Sequence, residues 1–490
     1  MKQYLDLSLE ELHAALVAKE VTPLELTKEA LRRAKEDKDN AFECLNEEEA
    51  LSFAASLAEP EPGNYLWGIP YLAKDNFSTK GLPSTASSNV LNGYVPVFDA
   101  TVVSKLHDKK AVLIGKSTLD ELAMGGTGTT GHLGKTYNPY DSKHEREIGG
   151  SSCGSAAATA NAVVPFALGS DTGDSVRKPA SFGGLVGLKP TWGRISRYGL
   201  FPFAPSLDAV GYFSRDVFTS AALLSALAGR DLKDSTSSEK PVGDYVSATK
   251  KEAKGLRVAV IKEILESVTD KKLLSSFKTS IEALRKEGVT VDMVSFDRDL
   301  LEAVYPAYMV ISCAEATSND ANLDGIKFGP YRGGNTYQEV MFNARNEGFS
   351  ELIKRRFVIG SYCLMRENQE ELFLRAQKVR AKIVKTTNDI LKDYDFIYLP
   401  AAPSVAPSFE QASDRLSDEY LIADNHLAIG NFAGLPSITL PLALEDGLPL
   451  GVNFTGRAFE EEKLFTIASA LERITGLKGL SARNKKEGNL

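Results

Sequence analysis

The segment from Ile148 to Phe213 constrains the fold more than any other part of the chain. It is rich in glycine and serine, yet it also contains an alanine-rich run typical of a helix and the stretch VVPFAL, which is typical of a buried strand. Flexible linkers do not alternate with core-forming segments in this way. Two glycine turns that carry serines, Gly149–Gly154 and Gly173–Ser175, flank the helix and the strand. We therefore predict that both turns meet at one edge of a sheet, where serine hydroxyls could form an active site.

The composition is that of an ordinary globular protein and argues against several functional classes. Of 490 residues, 43% are hydrophobic and 25% are charged, which argues against disorder. No apolar run reaches the roughly 18–20 residues that cross a bilayer, and the acidic, amphipathic N-terminus does not resemble a signal peptide. We therefore predict a cytoplasmic protein that does not contact membranes. The net charge of −8 gives no overall basic surface for nucleic acid, and the four scattered cysteines do not have metal-ligand spacing, so we predict no metal.

Strand-like and helix-like segments alternate along the chain and predict an α/β protein. LRVAVI, a helix over Lys271–Glu287 and VTVDMV form a βαβ pattern, which favours parallel strands joined by a right-handed crossover. The predicted fold is one mixed central sheet with helices on both faces. We predict a single domain over residues 1–490, with N-terminal helices in 1–60, a core of about 66–230 with 250–296 and 395–475, and a mostly helical insertion at about 298–392.

Two short motifs can be set aside as sites of other chemistries. GGTGTTG matches a dinucleotide fingerprint formally, but it lacks a preceding strand and a following helix, so we predict a glycine-rich loop. GSSCG matches a nucleophile elbow centred on Ser152, which requires a downstream acid and histidine. The only downstream histidine, His426, lies in a helix-like stretch, and a Cys153 thiol enzyme meets the same shortage of histidine. A serine enzyme would then need another base, and Lys74, at the end of a strand, qualifies if burial lowers its pKa.

The combination of Lys74 in AKDN with GGSSCGSAA and SDTGDSVRKPA resembles the amidase signature family, and the similarity continues through VGLKPTWGRISRYGL and PSLDAVG. The resemblance implies a catalytic triad of Lys74, Ser151 and Ser175, with a non-proline cis peptide bond at Ser151. Neutral Lys74 would take the proton of Ser151, which in turn takes that of the nucleophile Ser175. The backbone N–H groups of Thr172, Gly173, Asp174 and Ser175 would form the oxyanion hole.

Further stretches, including TLDELAMGG, AEATSNDANLDGIKFG and NEGFSELIKRRFVIGSYCL, resemble one branch of that family, the glutamine-hydrolysing A subunits of tRNA-dependent amidotransferases. By motif, the resemblance implies that Arg356 holds the α-carboxylate of glutamine, that Asp424 holds its α-ammonium, and that Tyr308 contacts the substrate. A planar guanidinium is suited to a carboxylate because it binds both oxygens at once. The neighbouring Arg355 is an alternative carboxylate clamp.

The same resemblance implies partners for the chain. Ammonia would pass to a B subunit that activates Glu-tRNA(Gln) with ATP and magnesium, and a small C subunit would bridge the two larger subunits. No cofactor is expected in this chain itself. Two alternatives remain open at this stage. The chain could be a free-standing amidase acting on another small amide, or a non-catalytic scaffold within a complex.

Three residues depart from the family pattern, in which glycine commonly stands at the positions of Cys153 and Asp174 and arginine at that of Asn322. Asp174 directly precedes the predicted nucleophile. Aspartate tolerates a left-handed backbone better than most residues, so the sequence predicts that the turn survives. Its carboxylate would oppose a developing oxyanion unless a cation pairs with it, and Arg177 and Lys178 are the candidates.

Overall fold

The computed structural model describes residues 3–411, 417 and 419–486, and one eleven-stranded sheet organises this part of the chain. The strand order is β1-β3-β2-β4-β6-β5-β10-β11-β9-β7-β8. β2 runs parallel to β3 and β4, β7 runs parallel to β8 and β9, and the other neighbours are antiparallel. The predicted α/β class with a mixed central sheet is confirmed. The strands are β1 Phe42–Leu45, β2 Pro70–Lys74, β3 Val112–Ser117, β4 Phe166–Asp171, β5 Val186–Lys189, β6 Ala209–Ser214, β7 Arg257–Ile261, β8 Thr290–Val294, β9 Phe396–Pro400, β10 Ser437–Glu445 and β11 Leu448–Gly456.

Helices cover the sheet, and the first two of them, α1 and α2, begin at well-formed N-caps. Ser8 and Thr22 each close a capping box, which satisfies backbone N–H groups that a helix start leaves free. The helices are α1 Leu9–Val17, α2 Pro23–Lys35, α3 Glu47–Ser56, α4 Thr101–Asp108, α5 Cys153–Ala160, α6 Arg177–Phe182, α7 Val217–Leu227, α8 Tyr245–Ala248, α9 Lys262–Glu266, α10 Lys271–Lys286, α11 Arg298–Glu302, α12 Val304–Asn319, α13 Tyr337–Gly348, α14 Glu351–Leu364, α15 Arg375–Asp393, α16 Ala428–Phe432, α17 Glu461–Thr475 and α18 Ala482–Lys486.

The chain between β8 and β9 is mainly helical, and its helices α12 and α14 pack unusually close together. A Cβ atom at Gly360 in α14 would lie 2.1 Å from the carbonyl oxygen of Cys313 in α12, so only glycine permits this approach. Residues 3–411, 417 and 419–486 contain no helix long and apolar enough to cross a bilayer. The division of the chain into core and insertion stays a prediction.

The sheet brings the two serine turns together through the pairing of β2 with β4. These neighbouring strands are parallel, so both end at the same edge of the sheet, β2 at Lys74 and β4 at Asp171. The first serine turn leads into α5, and the second leads from β4 into α6. The backbone N–H of Ser152 donates to the carbonyl oxygen of Ser175 at 3.3 Å. The predicted meeting of the two turns is therefore confirmed.

Candidate active site

Lys74 is completely buried at the end of β2, and its ammonium group contacts three serine hydroxyls. Its Nζ lies 2.8 Å from Ser151 Oγ, 2.9 Å from Ser152 Oγ and 2.9 Å from Ser170 Oγ. Burial lowers the pKa of Lys74 to about 7, because a charged amine without water is unfavourable. A large share of the amine is therefore neutral at pH 7 and able to accept a proton from a neighbouring hydroxyl.

Ser170 and Asn76 also belong to this group, although the sequence did not single them out. Asn76 Nδ2 donates to Ser170 Oγ at 2.9 Å, so the amide and the amine share one hydroxyl oxygen. Both residues are buried. The only sequence signal was the run of polar residues at the ends of two otherwise apolar strands.

The first serine turn is held in place by Asp120, another residue that sequence reasoning did not assign. The Asp120 carboxylate accepts hydrogen bonds from the backbone N–H groups of Gly128, Thr129 and Thr130, so the GGTGTTG run is a loop wrapped around one carboxylate, as predicted. The backbone N–H of Asp120 donates to the carbonyl oxygen of Ser151 at 3.1 Å. The peptide bond before Ser151 is cis, which agrees with the resemblance.

Two buried carboxylates, those of Asp171 and Asp208, hold the second serine turn in place. Asp171 forms an ion pair with Arg177 at 2.9 Å, and Arg177 also donates to the carbonyl oxygen of Gly173 at 2.7 Å. Asp208 accepts a 2.6 Å hydrogen bond from the hydroxyl of Thr172. The turn is therefore anchored on both sides before the chain reaches Ser175.

The backbone of this turn has the donors that an oxyanion hole requires. Within the described chain, the N–H groups of Gly173, Asp174 and Ser175 donate no hydrogen bond to another protein group. Such donors remain free for a ligand in a site that is otherwise buried. The turn forms as predicted, and it does not require a left-handed backbone at Asp174, whose φ is not positive. The turn therefore tolerates a side chain at this position without that conformation.

Asp174 is paired, and of its two predicted partners only Lys178 contacts it. Lys178 Nζ lies 2.7 Å from Asp174 Oδ2, whereas Arg177 pairs with Asp171. Burial raises the pKa of Asp174, and the Lys178 ammonium opposes that rise. Lys178 also lies 3.2 Å from Asp424 Oδ1, which brings a predicted substrate-binding residue to the same place.

Tyr308 on α12 covers the turn that precedes Ser175. A Cβ atom at Gly173 would lie 3.0 Å from the Tyr308 ring and 3.2 Å from its hydroxyl, so the ring packs directly on this glycine. Burial raises the pKa of Tyr308, while the nearby Arg356 charge lowers it and the Asp174 charge raises it. Tyr308 therefore lies within electrostatic reach of both Arg356 and Asp174.

Arg356 on α14 points inward, whereas its neighbour Arg355 is exposed. The guanidinium carbon of Arg356 lies 5.7 Å from the centroid of the Phe203 ring, and Nη1 reaches Met309 Sδ at 3.8 Å, a weak contact. Its Nε is buried and has no hydrogen-bond partner within the described residues. A buried guanidinium donor without an acceptor is unfavourable, and the carboxylate of a ligand would satisfy it.

The residues that would support a histidine or cysteine mechanism are inert here. Burial raises the pKa of the Cys153 thiol to about 12, so it is not a thiolate. Burial lowers the pKa of His426 to about 4, and its Nδ1 lies 3.0 Å from the carbonyl oxygen of Ala423. Ser152 contacts Lys74 and donates to the carbonyl oxygen of Ser170 at 3.1 Å, and among the described residues no histidine contacts it. The structure thus offers lysine, not histidine, as the base beside these serines.

A buried lysine in contact with serine hydroxyls at the ends of parallel strands is an arrangement that could support serine-dependent chemistry with lysine as the base. A family model described as Amidase matches residues 25–465, so the chain belongs to the amidase family of enzymes. The chain is 40% identical over 474 residues to the A subunit of the Glutamyl-tRNA(Gln) amidotransferase of Streptococcus uberis, covering 96% of both chains. It is 39–40% identical to the proteins of the same name in Oenococcus oeni and Listeria innocua, covering at least 96% of this chain.

Solved structures show the same relationship. The crystal structure of the Glutamyl-tRNA(Gln) amidotransferase A subunit from Thermotoga maritima matches with a TM-score of 0.78 and 35% identity, covering 96% of both chains. The native peptide amidase from Stenotrophomonas maltophilia matches with a TM-score of 0.81 and 26% identity, covering 97% of this chain and 98% of that chain. The predicted resemblance to the amidase signature family, and within it to the amidotransferase A subunits, is confirmed.

Proposed function

We propose that the chain is the glutaminase subunit of a tRNA-dependent amidotransferase, in which Lys74, Ser151 and Ser175 hydrolyse glutamine. The observation that carries this proposal is the buried Lys74 amine, whose pKa is about 7 and whose Nζ lies 2.8 Å from Ser151 Oγ. The relatives named above support the choice of glutamine over other amides.

The chemistry follows from the protonation state of Lys74. The neutral amine accepts the proton of Ser151, Ser151 accepts that of Ser175, and Ser175 Oγ bonds to the amide carbon of glutamine. The C–N bond then breaks, and the proton returns through the same relay to the leaving nitrogen, which departs as ammonia. Water then attacks the acyl carbon and gives its proton to the same relay, the bond from that carbon to Ser175 Oγ breaks, the relay returns the proton to Ser175, and glutamate is released. Each backbone donor of the oxyanion hole contributes about 3–4 kcal/mol to such steps.

The substrate-binding residues suit a zwitterionic amino acid. Arg356 has a buried donor free for the α-carboxylate, and Asp424 has a carboxylate for the α-ammonium. Tyr308 packs on Gly173, two residues before Ser175, where it could contact the substrate. One cation and one anion held apart on different elements match the two charges of glutamine.

We also propose that this chain works in a cytoplasmic complex with B and C subunits. The B subunit would activate Glu-tRNA(Gln) with ATP and magnesium and use the ammonia to form Gln-tRNA(Gln). The net charge of −8 agrees with tRNA being held mainly by another chain. Exposed large apolar side chains are concentrated between Ile326 and Leu374, as is typical of a surface that contacts another protein.

Reconstitution tests this proposal. The chain is purified with and without the B and C subunits of its own organism, and ammonia release and Gln-tRNA(Gln) formation are measured. We expect glutamine-dependent ammonia release and Gln-tRNA(Gln) formation in the assembled complex. A monomer that is fully active on other amides and indifferent to glutamine would instead identify a free-standing amidase. If a serine-reactive glutamine analogue did not label Ser175 in the complex, the chain would be a scaffold.

Arg356→Gln is expected to raise the KM for glutamine by roughly 10- to 100-fold, because a charge-assisted hydrogen bond contributes about 1.5–3 kcal/mol. The matched control is Arg355→Gln on the same helix, where the side chain is exposed and a change within twofold is expected. Initial rates over a range of glutamine concentrations measure both variants. A larger effect at Arg355 would assign the carboxylate clamp to that residue instead.

A further inference from the structure

Asp174, Lys178 and Asp424 form one charged cluster beside the nucleophile, hereafter the Asp174–Lys178–Asp424 cluster. A single ammonium lies 2.7 Å from one carboxylate and 3.2 Å from the other. All three side chains are mostly buried, with exposed fractions of 19%, 8% and 26%. Asp174 directly precedes Ser175 in the chain, whereas Asp424 comes from the segment that follows the π-helical turn Glu419–Ala423. The cluster therefore joins the proposed α-ammonium site to the nucleophile turn.

The Lys178 ammonium contacts both carboxylates and favours their ionised forms, and with both ionised the cluster carries one net negative charge. Burial would lower the pKa of Lys178, but the two carboxylates outweigh burial and raise it, so Lys178 is a cation at neutral pH. Other titratable groups also lie nearby, and the charge of one of them, Asp171, is balanced by Arg177 at 2.9 Å. Burial raises the pKa of Glu147 to about 8 and lowers that of His426 to about 4, so both are mainly uncharged at pH 7. One net negative charge remains for one ligand cation.

Besides contributing to the net charge of the cluster, Lys178 affects the chemistry through its contact with Asp174. An unpaired carboxylate next to the oxyanion hole would oppose the negative charge that develops on the amide oxygen. An ammonium at 2.7 Å neutralises that carboxylate locally. The Lys178 ammonium also competes with a substrate cation for Asp424. This competition is limited because Asp174 binds the same ammonium.

We propose that Lys178 is a positioning residue that sets substrate selectivity. It neutralises Asp174 beside the oxyanion hole and leaves the Asp174–Lys178–Asp424 cluster with one negative charge. That charge selects amides that carry an α-ammonium. The inference rests on the proposed glutaminase function and deepens it. Asp174 and Lys178 then act as a compensating pair, because the charge of each residue offsets that of the other.

Two substrates that differ only in the α-ammonium test this pairing. Glutamine carries that group, and glutaramate (4-carbamoylbutanoate) keeps the carboxylate and the amide but lacks it. The selectivity is the ratio of kcat/KM for glutamine to that for glutaramate, measured by ammonia release from the assembled complex. The variants are Asp174→Gly, Lys178→Gln and the double variant. Lys385→Gln is the matched control, because Lys385 forms a 2.7 Å pair with Asp389 four residues away, on an exposed helix face.

Asp174→Gly is expected to lower the selectivity about tenfold, through a higher KM for glutamine, because Lys178 then pairs with Asp424 alone. Lys178→Gln is expected to lower kcat about tenfold for both amides, because the Asp174 carboxylate is left beside the oxyanion. The double variant restores the net charge of −1 and is expected to recover most of both losses. Lys385→Gln is expected to stay within twofold of the parent.

Three results would overturn the inference. If the double variant is no better than the worse single variant, the pair is only structural. If the parent hydrolyses glutamine and no variant changes the selectivity or kcat by more than twofold, the inference fails while the proposed function stands. If the parent complex hydrolyses neither amide, the proposed function fails and this inference fails with it.

Discussion

Replacing Ser175 with alanine is expected to lower kcat for glutamine hydrolysis by a factor of about 10⁴ or more, since loss of a nucleophile that acts within a relay removes nearly all covalent catalysis. The measurement is ammonia release by the assembled complex at saturating glutamine. Ser52→Ala, at an exposed position of α3, is the matched control and is expected to keep full activity. Ammonia release that is unchanged in Ser175→Ala would remove the triad assignment altogether.

The neighbouring serines refine this test, because Lys74 contacts both Ser151 and Ser152 at nearly the same distance. If the relay runs through Ser151, Ser151→Ala is expected to lower kcat about 10³-fold, and Ser152→Ala much less. Ser152 has an additional bond to the carbonyl oxygen of Ser170, which suits a residue that orients the amine. A larger loss in Ser152→Ala would move the relay to that serine.

Lys74→Met is the second change with a large expected effect. We expect kcat to fall by about 10³- to 10⁴-fold, because general-base catalysis contributes about 10²–10⁴ and the relay has no other base. The parent kcat/KM is expected to rise with pH around a midpoint near 7, since burial lowers the pKa of Lys74 to about 7 and only the neutral amine accepts a proton. Rates between pH 5.5 and 9 measure this rise. A flat profile in the parent would exclude Lys74 as the base.

The same lowered pKa predicts the effect on stability. The pKa of Lys74 is about 7 in the fold and near 10.5 in the unfolded chain, so between these values the unfolded chain binds more protons. The free energy of unfolding contributed by Lys74 therefore rises as pH increases from 7 to 10.5, and it is lost below pH 7. Lys74→Met removes this cost of burying an amine, so we expect an unchanged or higher melting temperature at pH 7. A large fall in melting temperature would show that the inactive variant is misfolded.

Much of the fold followed from periodicity and from turn residues. The N-terminal helices, the parallel βαβ unit and the apolar strands near the C-terminus were all read from local patterns, because each element buries one continuous apolar face or run. The short strand β1, Phe42–Leu45, was not predicted. Its four residues are all half-buried at the edge of the sheet, so their pattern carries little signal.

The residues of the candidate active site were likewise only partly predicted from the sequence. Lys74, Ser151 and Ser175 lie in short local motifs, so the resemblance of these motifs to the amidase signature family was enough to indicate them. Asp120 and Ser170 were missed, because their role consists of contacts across the sheet edge and around a loop. A pattern within a few residues does not show which distant groups will share a hydrogen bond.

By itself, the sequence determined the α/β class, the two serine turns and the family to which they belong, since these depend on short-range spacing and on residue type. Only the tertiary structure decided which charged groups surround these turns and how those groups are paired. It buried Lys74 away from water, which lowers its pKa to about 7, and it brought Lys178 between Asp174 and Asp424. Lys178 and Asp424 are far apart in the chain, and electrostatic energy depends on distance in space and on burial. The role of Asp174, the residue before Ser175 that departs from the family pattern, is therefore understood only from its contacts in the folded chain.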